Sequence, residues 1–159
     1  MKTAIIYASK YGCTEKCVKM LSRELKGNAE LINIKNMKDI DLSKYDKVII
    51  GGSIYIGRIQ KEIIEFCNRN LDILKSKNIG LFICGMQESE VIITELEQNF
   101  PKELLDVAKT KKYFGGEFII DKMNFMEKMI VKKIAKVTEN KSFIIEGNIQ
   151  EFAQAINSI

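Results

Sequence analysis

The stretch TAIIYASKYGCT, residues Thr3–Thr14, predicts how the fold begins. Its first part, Thr3–Ala8, is almost entirely apolar and contains two adjacent isoleucines, which is typical of a β-strand that is covered on both faces. After Thr14, apolar residues recur at the spacing of one helix face: Cys17, Val18, Leu21 and Leu25. The stretch therefore predicts a buried strand, a short polar loop and an amphipathic helix.

The rest of the chain repeats this alternation of apolar runs and helical patterns. Further strands are predicted at residues 29–34, 47–51, 79–84 and 112–120, the last containing Gly115 and Gly116. Helical patterns are predicted at residues 63–74, at residues 90–107 with an interruption before Pro101, and from Asn148, where Glu151 would complete a capping box. This order indicates an α/β fold with a parallel sheet and crossover helices. No repeat or linker divides residues 1–159, so one domain is expected.

Composition narrows the class of protein. With 159 residues and 46% hydrophobic residues, the chain can build one well-filled core. Charged residues make up 29%, and no apolar run approaches the length of a membrane-spanning helix. The amino terminus lacks the pattern of a secretory signal, so a cytoplasmic protein is expected.

Two residue types are missing, and their absence excludes several chemistries. The chain has no histidine, which excludes Ser-His-Asp catalysis and histidine metal sites, and it has no tryptophan. The four cysteines form no C-x-x-C pair and no zinc-like spacing, so reduced, partly buried thiols are expected. No catalytic side chain and no metal ligand is predicted.

The loop after the first strand is a candidate phosphate site. Ligands of open α/β sheets bind beyond the carboxyl ends of the strands. A glycine between two hydroxyl residues at a helix amino terminus offers backbone N–H groups and a positive helix end to an anion. The candidate residues are Ser9, Lys10, Tyr11, Gly12, Cys13 and Thr14. The alternative is an ordinary strand-to-helix turn with Thr14 as the N-cap.

Two later loops are candidate walls of a flat apolar slot. After the third strand, two glycines are followed by Ser53, Ile54, Tyr55, Ile56 and Gly57. Tyr55 could stack on a planar ring, although a turn with a half-buried tyrosine is the alternative. After the fourth strand, the opposite wall and further backbone donors are expected from Gly85, Met86, Gln87 and Glu88.

Together these motifs resemble a known family. Strand, S-x-Y-G-x-T and helix, followed by YDKVIIGGS at Tyr45–Ser53 and its loop, resemble the flavodoxin-like FMN proteins over essentially the whole chain. The resemblance implies a three-layer sandwich with strand order 2-1-3-4-5. It also implies FMN, with the phosphate at residues 9–14, the isoalloxazine ring between residues 53–57 and 85–88, and a backbone carbonyl near Gly57 that accepts a hydrogen bond from the reduced ring. Receiver domains share the topology, but they require acidic residues where this chain has Ser9, Lys10 and Ser53.

Within that family, SIYIG and a basic segment most resemble the menaquinone-dependent protoporphyrinogen oxidases. The resemblance implies electron transfer through flavin, either as a flavodoxin-type carrier or as a quinone-linked enzyme with a tetrapyrrole substrate. A third hypothesis is a flavodoxin-fold protein that binds no flavin and acts through contacts with other proteins.

The basic segment is a predicted helical addition at about residues 121–147. From Lys109 to Lys141 the chain carries nine lysines and four acidic residues, a local charge of +5. Its apolar side is predicted to comprise Phe125, Met126, Met129, Ile130, Ile134 and Val137, and its charge comes from Lys128, Lys132, Lys133 and Lys136. Either the helix packs on the domain with solvated lysines, or it meets an acidic redox partner, a membrane face holding quinone, or a tetrapyrrole. Nucleic acid is not expected.

Overall fold

The chain forms a five-stranded parallel sheet between two layers of helices. The computed structural model describes residues 1–37, 39–86, 89–118, 120–135 and 140–159, with the backbone alone at residues 89, 118, 134 and 135. The strands are β1 (Thr3–Tyr7), β2 (Ala29–Asn33), β3 (Lys47–Ser53), β4 (Asn78–Cys84) and β5 (Thr110–Tyr113). Their order is β2-β1-β3-β4-β5, and every pairing is parallel. The predicted strand order is confirmed.

Helices cover both faces of the sheet, which explains why its central strands β1, β3 and β4 are almost entirely apolar. One layer contains α1 (Cys13–Glu24) and α7 (Glu146–Asn157), and the other contains α2 (Lys61–Arg69), α3 (Leu71–Lys75), α4 (Ser89–Asn99) and α5 (Lys102–Val107). Successive strand residues point to opposite faces. In β1, Ala4 and Ile6 therefore pack in the core beneath α2–α5, whereas Ile5 packs beneath α1 and α7.

The predicted fifth strand, residues 112–120, is wrong in its bounds. β5 ends at Tyr113, and Gly115, with φ of 79°, turns the chain away from the sheet. Residues Glu117–Phe118 instead form β6, which pairs antiparallel with β7 (Lys141–Ser142). Gly115 ends the pairing because its left-handed backbone conformation is incompatible with a strand. The apolar pattern of the sequence does not show this end.

Two predicted helix starts are also wrong. α7 begins at Glu146, and the Asn148 side chain does not cap it but donates to the Tyr113 carbonyl at 2.9 Å. The N-cap of α1 is Gly12, with φ of 97°, so Thr14 lies inside the helix. The predicted helix at residues 63–74 is divided at Asn70, and the predicted interruption before Pro101 is confirmed between α4 and α5.

Helix α6 (Phe125–Ala135) does not bury the predicted apolar side. Phe125, Met126 and Met129 are 76%, 71% and 57% exposed, while Val131 is buried. The residue pattern alone could not predict which side turns inward, because apolar residues occupy most of the circumference. Lys136 and Val137 lie outside the described residues, as does the side chain of Ile134.

Three phenylalanines join β4 to the layer of α1 and α7. The rings of Phe82 and Phe114 are stacked with centroids 4.6 Å apart, and Phe152 of α7 meets Phe114 edge-on at 5.3 Å. Gly80 of β4 makes this approach possible, because a Cβ there would lie 2.6 Å from Cζ of Phe152 and 3.0 Å from Cδ1 of Ile156.

We therefore expect Gly80→Ala to lower the free energy of unfolding by about 1–3 kcal/mol, because the added methyl group overpacks this contact. Urea denaturation measures the change. Gly147→Ala in α7 is the matched control, since nothing lies within 4 Å of its added Cβ and alanine favours helix. Equal stability losses in the two variants would contradict the packing explanation.

Candidate functional site

A cavity of about 560 Å³ opens at the carboxyl edge of the sheet. It is lined by the following predicted residues: Ser9, Lys10, Tyr11, Cys13, Thr14, Ser53, Ile54, Tyr55, Ile56, Gly85 and Met86. Gly12 and Gly57 belong to the same loops but do not line the cavity, and Gln87 and Glu88 lie outside the described residues. The structure therefore brings the three predicted loops together around one space.

Sequence reasoning missed a fourth wall of this cavity. It comes from the end of β4 and from the chain beyond β5, and it consists of Cys84, Gly116, Glu117, Met123, Ile130, Val131, Lys141 and Phe143. The adjacent Gly115 and Gly116 were the available signal, because a glycine pair at a strand end indicates a turn at the same edge of the sheet. The helical addition predicted at about residues 121–147 thus contributes side chains to the cavity.

The first loop is held in a shape that leaves N–H groups free for an anion. Gly12 donates its N–H to Ser9 Oγ at 2.9 Å, and its carbonyl accepts the first helical hydrogen bond from Lys16. The next N–H groups belong to the first turn of α1, where no intrahelical acceptor exists. The positive φ of Gly12 turns this end of the helix toward the loop.

One buried hydroxyl in this loop has no protein partner. Thr14 is completely buried, and its Oγ1 accepts or donates no hydrogen bond within the described parts of the chain. A buried hydroxyl without a partner is costly, so such an atom indicates a ligand contact. The Tyr11 hydroxyl oxygen is also buried and has no hydrogen-bond partner among the described residues.

Ammonium groups surround the first loop. Lys35 Nζ donates to the Ser9 carbonyl at 3.2 Å, and Lys122 Nζ donates to the Tyr11 carbonyl at 3.3 Å. These lysines hold the loop by its carbonyl groups, and they place positive charge beside the amino terminus of α1. The helix end and the lysines together favour a bound anion.

The second loop is a tight turn in which one residue is strained. Tyr55 and Arg58 exchange backbone hydrogen bonds of 2.8 and 3.2 Å, and both residues between them have positive φ, 49° at Ile56 and 75° at Gly57. This is the backbone of a type I′ turn. A β-branched residue rarely adopts such a φ, so Ile56 stores strain at the rim of the cavity.

The Gly57 carbonyl, expected from the resemblance to face a reduced ring, already has a partner. Asn99 of α4 donates its side-chain amide to this oxygen at 3.0 Å. The same Asn99 accepts from the Ile59 N–H at 2.9 Å, so α4 supports the turn from behind. Glu95, close by, is buried, and burial raises the pKa of its carboxyl group.

Tyr113 positions the third loop. Its hydroxyl donates to the Gly85 carbonyl, and burial raises its pKa to about 12, so it keeps its proton at neutral pH. The Gly85 N–H donates to the Gly115 carbonyl at 2.9 Å. The loop after β4 is thereby attached to the chain leaving β5.

Lys10 connects two loops and α6. Its ammonium group lies 3.8 Å from the centre of the Tyr55 ring and forms an ion pair with Glu127 of α6 at 2.8 Å. The contact is a cation–π interaction. A planar ligand that stacks on the same face of Tyr55 must displace this ammonium group.

A comparison with protein families shows which family the chain belongs to. The family model of the flavodoxin domain matches residues 4–144. The chain belongs to the flavodoxin domain family. The resemblance expected from S-x-Y-G-x-T and from the loop after β3 is thereby confirmed.

Relatives of this flavodoxin-domain protein include an uncharacterized protein of Methanocaldococcus jannaschii, 34% identical over 120 residues that cover 74% of this chain and 73% of the relative. Protoporphyrinogen IX dehydrogenase [quinone] of Escherichia coli K12 is 30% identical over 79 residues, which cover 48% of this chain and 44% of that protein. Among solved structures, Fusobacterium nucleatum flavodoxin bound to flavin mononucleotide has a TM-score of 0.56 at 15% identity, covering 99% of this chain and 97% of that one. The likeness to this flavodoxin shows that the two proteins share a fold.

We expect Ile56→Asn to raise the free energy of unfolding by about 1 kcal/mol, because asparagine tolerates the left-handed conformation that isoleucine resists. Little burial is lost, since Ile56 is 60% exposed. Chemical denaturation measures the change. Ile93→Asn, at a 62% exposed position inside α4, is the matched control and should lower stability by about 0.5 kcal/mol or less. A loss at position 56 equal to that at position 93 would contradict the assignment of strain.

Proposed function

We propose that this flavodoxin-domain protein binds FMN in the cavity and transfers electrons through the bound flavin. The observation that carries the proposal is the Thr14 hydroxyl, which is buried at the amino terminus of α1 and has no partner among the described residues. A phosphate monoester supplies the acceptor oxygens that this hydroxyl and the free N–H groups of the helix require.

The phosphate end of FMN would be held by the first loop. Thr14 Oγ1 and the N–H groups of the first helical turn donate to its oxygens, and Lys35 and Lys122 offset its negative charge without entering the loop. The Ser9 hydroxyl shapes the loop by accepting from Gly12. These are contacts of a phosphate monoester at a helix end, and they require no metal ion.

The ring end of FMN would lie between Tyr55 and the Gly85–Met86 segment. The cavity is large enough for a ligand of this size. Tyr55 offers an aromatic face, and Ile54 and Met86 contribute apolar side chains that keep water from the ring. The solved flavodoxin of Fusobacterium nucleatum, which shares the fold, holds flavin mononucleotide, and this supports the same cofactor here.

The flavin, when bound, supplies the one- and two-electron chemistry of the proposed site. The protein orients the ring on Tyr55 and surrounds it with an apolar wall. It also controls the charge nearby, since Lys10 Nζ lies at the cavity and is neutralised by Glu127.

We expect Thr14→Val to weaken FMN binding by about tenfold or more, because a hydrogen bond to a charged group contributes about 1.5–3 kcal/mol. The FMN-free protein should become no less stable, since the variant removes a buried hydroxyl without a partner. Titration with FMN, followed by flavin fluorescence, measures the affinity. Riboflavin, which lacks the phosphate, should bind both proteins equally.

Thr3→Val is the matched control, because Thr3 is also buried but lies at the opposite end of β1. It should leave FMN affinity unchanged. Equal FMN affinity of the Thr14→Val variant and the unaltered protein would refute the phosphate site. Failure of the unaltered protein to bind FMN at all would leave the flavin-free interaction module as the remaining reading.

A second candidate function is a quinone-linked oxidoreductase acting on protoporphyrinogen at a membrane surface. The similarity to the Escherichia coli relative favours this candidate, although the match covers less than half of that protein. The surface of α6 favours it as well. That helix exposes Phe125, Met126 and Met129 beside Lys128, Lys132 and Lys133. Exposed apolar side chains among lysines are typical of helices that lie on anionic lipid. Within the described residues, no helix has the length and apolar character needed to cross a bilayer.

We expect the FMN-loaded protein to sediment with phosphatidylserine vesicles and to pass electrons from protoporphyrinogen to a menaquinone analogue in them. Replacing Lys128, Lys132 and Lys133 by glutamine should weaken vesicle binding on the order of 100-fold, at about 1 kcal/mol for each lysine. The control replaces the exposed Lys26, Lys75 and Lys102.

Equal losses in the two triple variants would indicate a general charge effect and refute the α6 surface. Vesicle binding without protoporphyrinogen turnover would support the electron carrier over the enzyme. An acidic redox partner protein then remains the expected recipient of the electrons.

A further inference from the structure

Three of the four cysteines meet at the floor of the cavity. Cys13 is the first residue of α1, Cys17 follows one turn later, and Cys84 is the last residue of β4. All three are free thiols and are buried in the same core cluster, whereas Cys67 lies in the cluster on the other face of the sheet. Their positions in the sequence gave no sign of this cluster, because the sheet brings Cys84 to the other two.

The cluster favours a thiolate at Cys13. The thiols of Cys17 and Cys84 and the backbone N–H of Glu117 hydrogen-bond its sulfur, and these contacts hold the pKa of Cys13 well below its usual range despite burial and the nearby Glu117 carboxylate. The amino terminus of α1 acts in the same direction. Lys16 pairs with Glu117 at 2.8 Å and reduces the opposing charge. The pKa values of Cys17 and Cys84 are raised correspondingly, because each donates its proton to the shared contact.

A small oxidant can reach two of these sulfurs. Cys13 and Cys84 line the cavity, and Cys17 does not. The cavity is open to solvent, so a molecule such as hydrogen peroxide needs no structural change to enter. A thiolate at the end of an open cavity, beside a second thiol, has the arrangement of a peroxide-reactive pair.

We propose that Cys13 and Cys84 form a disulfide in response to hydrogen peroxide. The Cys13 thiolate attacks one peroxide oxygen, the O–O bond breaks, and hydroxide leaves, so that the sulfur is oxidised to a sulfenic acid. Cys84 then attacks the Cys13 sulfur, the S–O bond breaks, and the Cys84 proton leaves with the hydroxyl group as water. The net change converts two thiols and one peroxide into one disulfide and two waters.

Helix geometry excludes Cys17 as the better partner. Residues four apart on a helix have Cβ atoms roughly 5–6 Å apart, whereas a disulfide requires about 3.5–4.5 Å, so a Cys13–Cys17 bond would unwind the first turn of α1. Cys84 lies on a different element, at the register position opposite Ser53, and is free of this constraint. Cys17 acts as a hydrogen-bond donor that favours the thiolate.

The bond would tie the first turn of α1 to the end of β4. If the proposed FMN site is correct, on which this consequence rests, the cross-link draws the phosphate-binding N–H groups toward the sheet and weakens FMN binding. Conversely, bound phosphate places an anion beside Cys13 and blocks the route of the peroxide. FMN and oxidation would therefore oppose each other.

The test treats the FMN-free full chain with hydrogen peroxide, blocks remaining thiols with N-ethylmaleimide, and maps a non-reduced digest by mass spectrometry. We expect a disulfide peptide joining Cys13 and Cys84, and loss of two hydrogens from the intact mass. Cys13 should react at least about tenfold faster than Cys67, whose pKa burial raises to about 12. Saturating FMN should slow the reaction, and the oxidised protein should bind FMN at least about tenfold more weakly until dithiothreitol is added, in line with the loss of charge-assisted contacts.

Cys84→Ser should accumulate the sulfenic acid at Cys13, which dimedone captures. Cys17→Ser, whose hydroxyl still donates, and Cys67→Ser should both form the Cys13–Cys84 bond. A Cys13–Cys17 bond, bonds between chains only, or reaction of Cys13 no faster than Cys67 would overturn the proposal. A Cys13–Cys84 bond in a protein that binds no FMN in either state would support the thiol pair and refute the proposed cofactor instead.

Discussion

The parallel hydrogen bonding of β1, β3 and β4 is the constraint on which the site depends. Tyr7 pairs with Gly51, and Ser53 pairs with Cys84, so the three strands end at the same edge of the sheet. Loops that are far apart along the chain therefore surround one cavity. Each loop is then fixed by its own contact: Ser9 holds Gly12, Asn99 holds Gly57, and Tyr113 holds Gly85.

The chain beyond β5 completes this site and also builds the surface around it. Met123, Val131 and Phe143 form one wall of the cavity. The same helix α6 exposes Phe125 and carries Glu127, which pairs with Lys10 beside Tyr55. A partner that binds the outer side of α6 would therefore act on a helix that contacts the first loop, whose Lys10 lies over Tyr55 of the second loop. This connection links the proposed membrane surface to the proposed flavin position.

The amino terminus of α1 has features that favour two kinds of anion. Its free N–H groups and positive end suit a phosphate, and they also favour the thiolate of Cys13 at the first helical position. Two negative groups at the same helix end would repel each other, so occupation by one would disfavour the other. Electron transfer and thiol oxidation would thus depend on the same few backbone groups.

Periodicity and turn chemistry were sufficient for much of the fold. The apolar runs at residues 47–51 and 79–84, and the break at Pro101, follow from local preferences that the sequence displays directly. Local signals failed where a distant contact competed with them. Asn148 resembles a cap in the sequence, yet its side chain bonds the Tyr113 carbonyl, and the strand predicted through Gly115 is ended by a turn that packs against residues near Phe143.

By itself, the sequence determined the class of fold and indicated the loops after β1 and β3 as candidate site loops. The motifs S-x-Y-G-x-T and SIYIG are local, and their backbone requirements are visible in the positions of glycine and hydroxyl residues. Only the tertiary structure decided which side of α6 faces the cavity, which hydroxyl is buried without a partner, and that Cys84 joins Cys13 and Cys17. These features arise between elements distant in the chain, where packing and solvent exclusion, rather than local propensity, set the geometry.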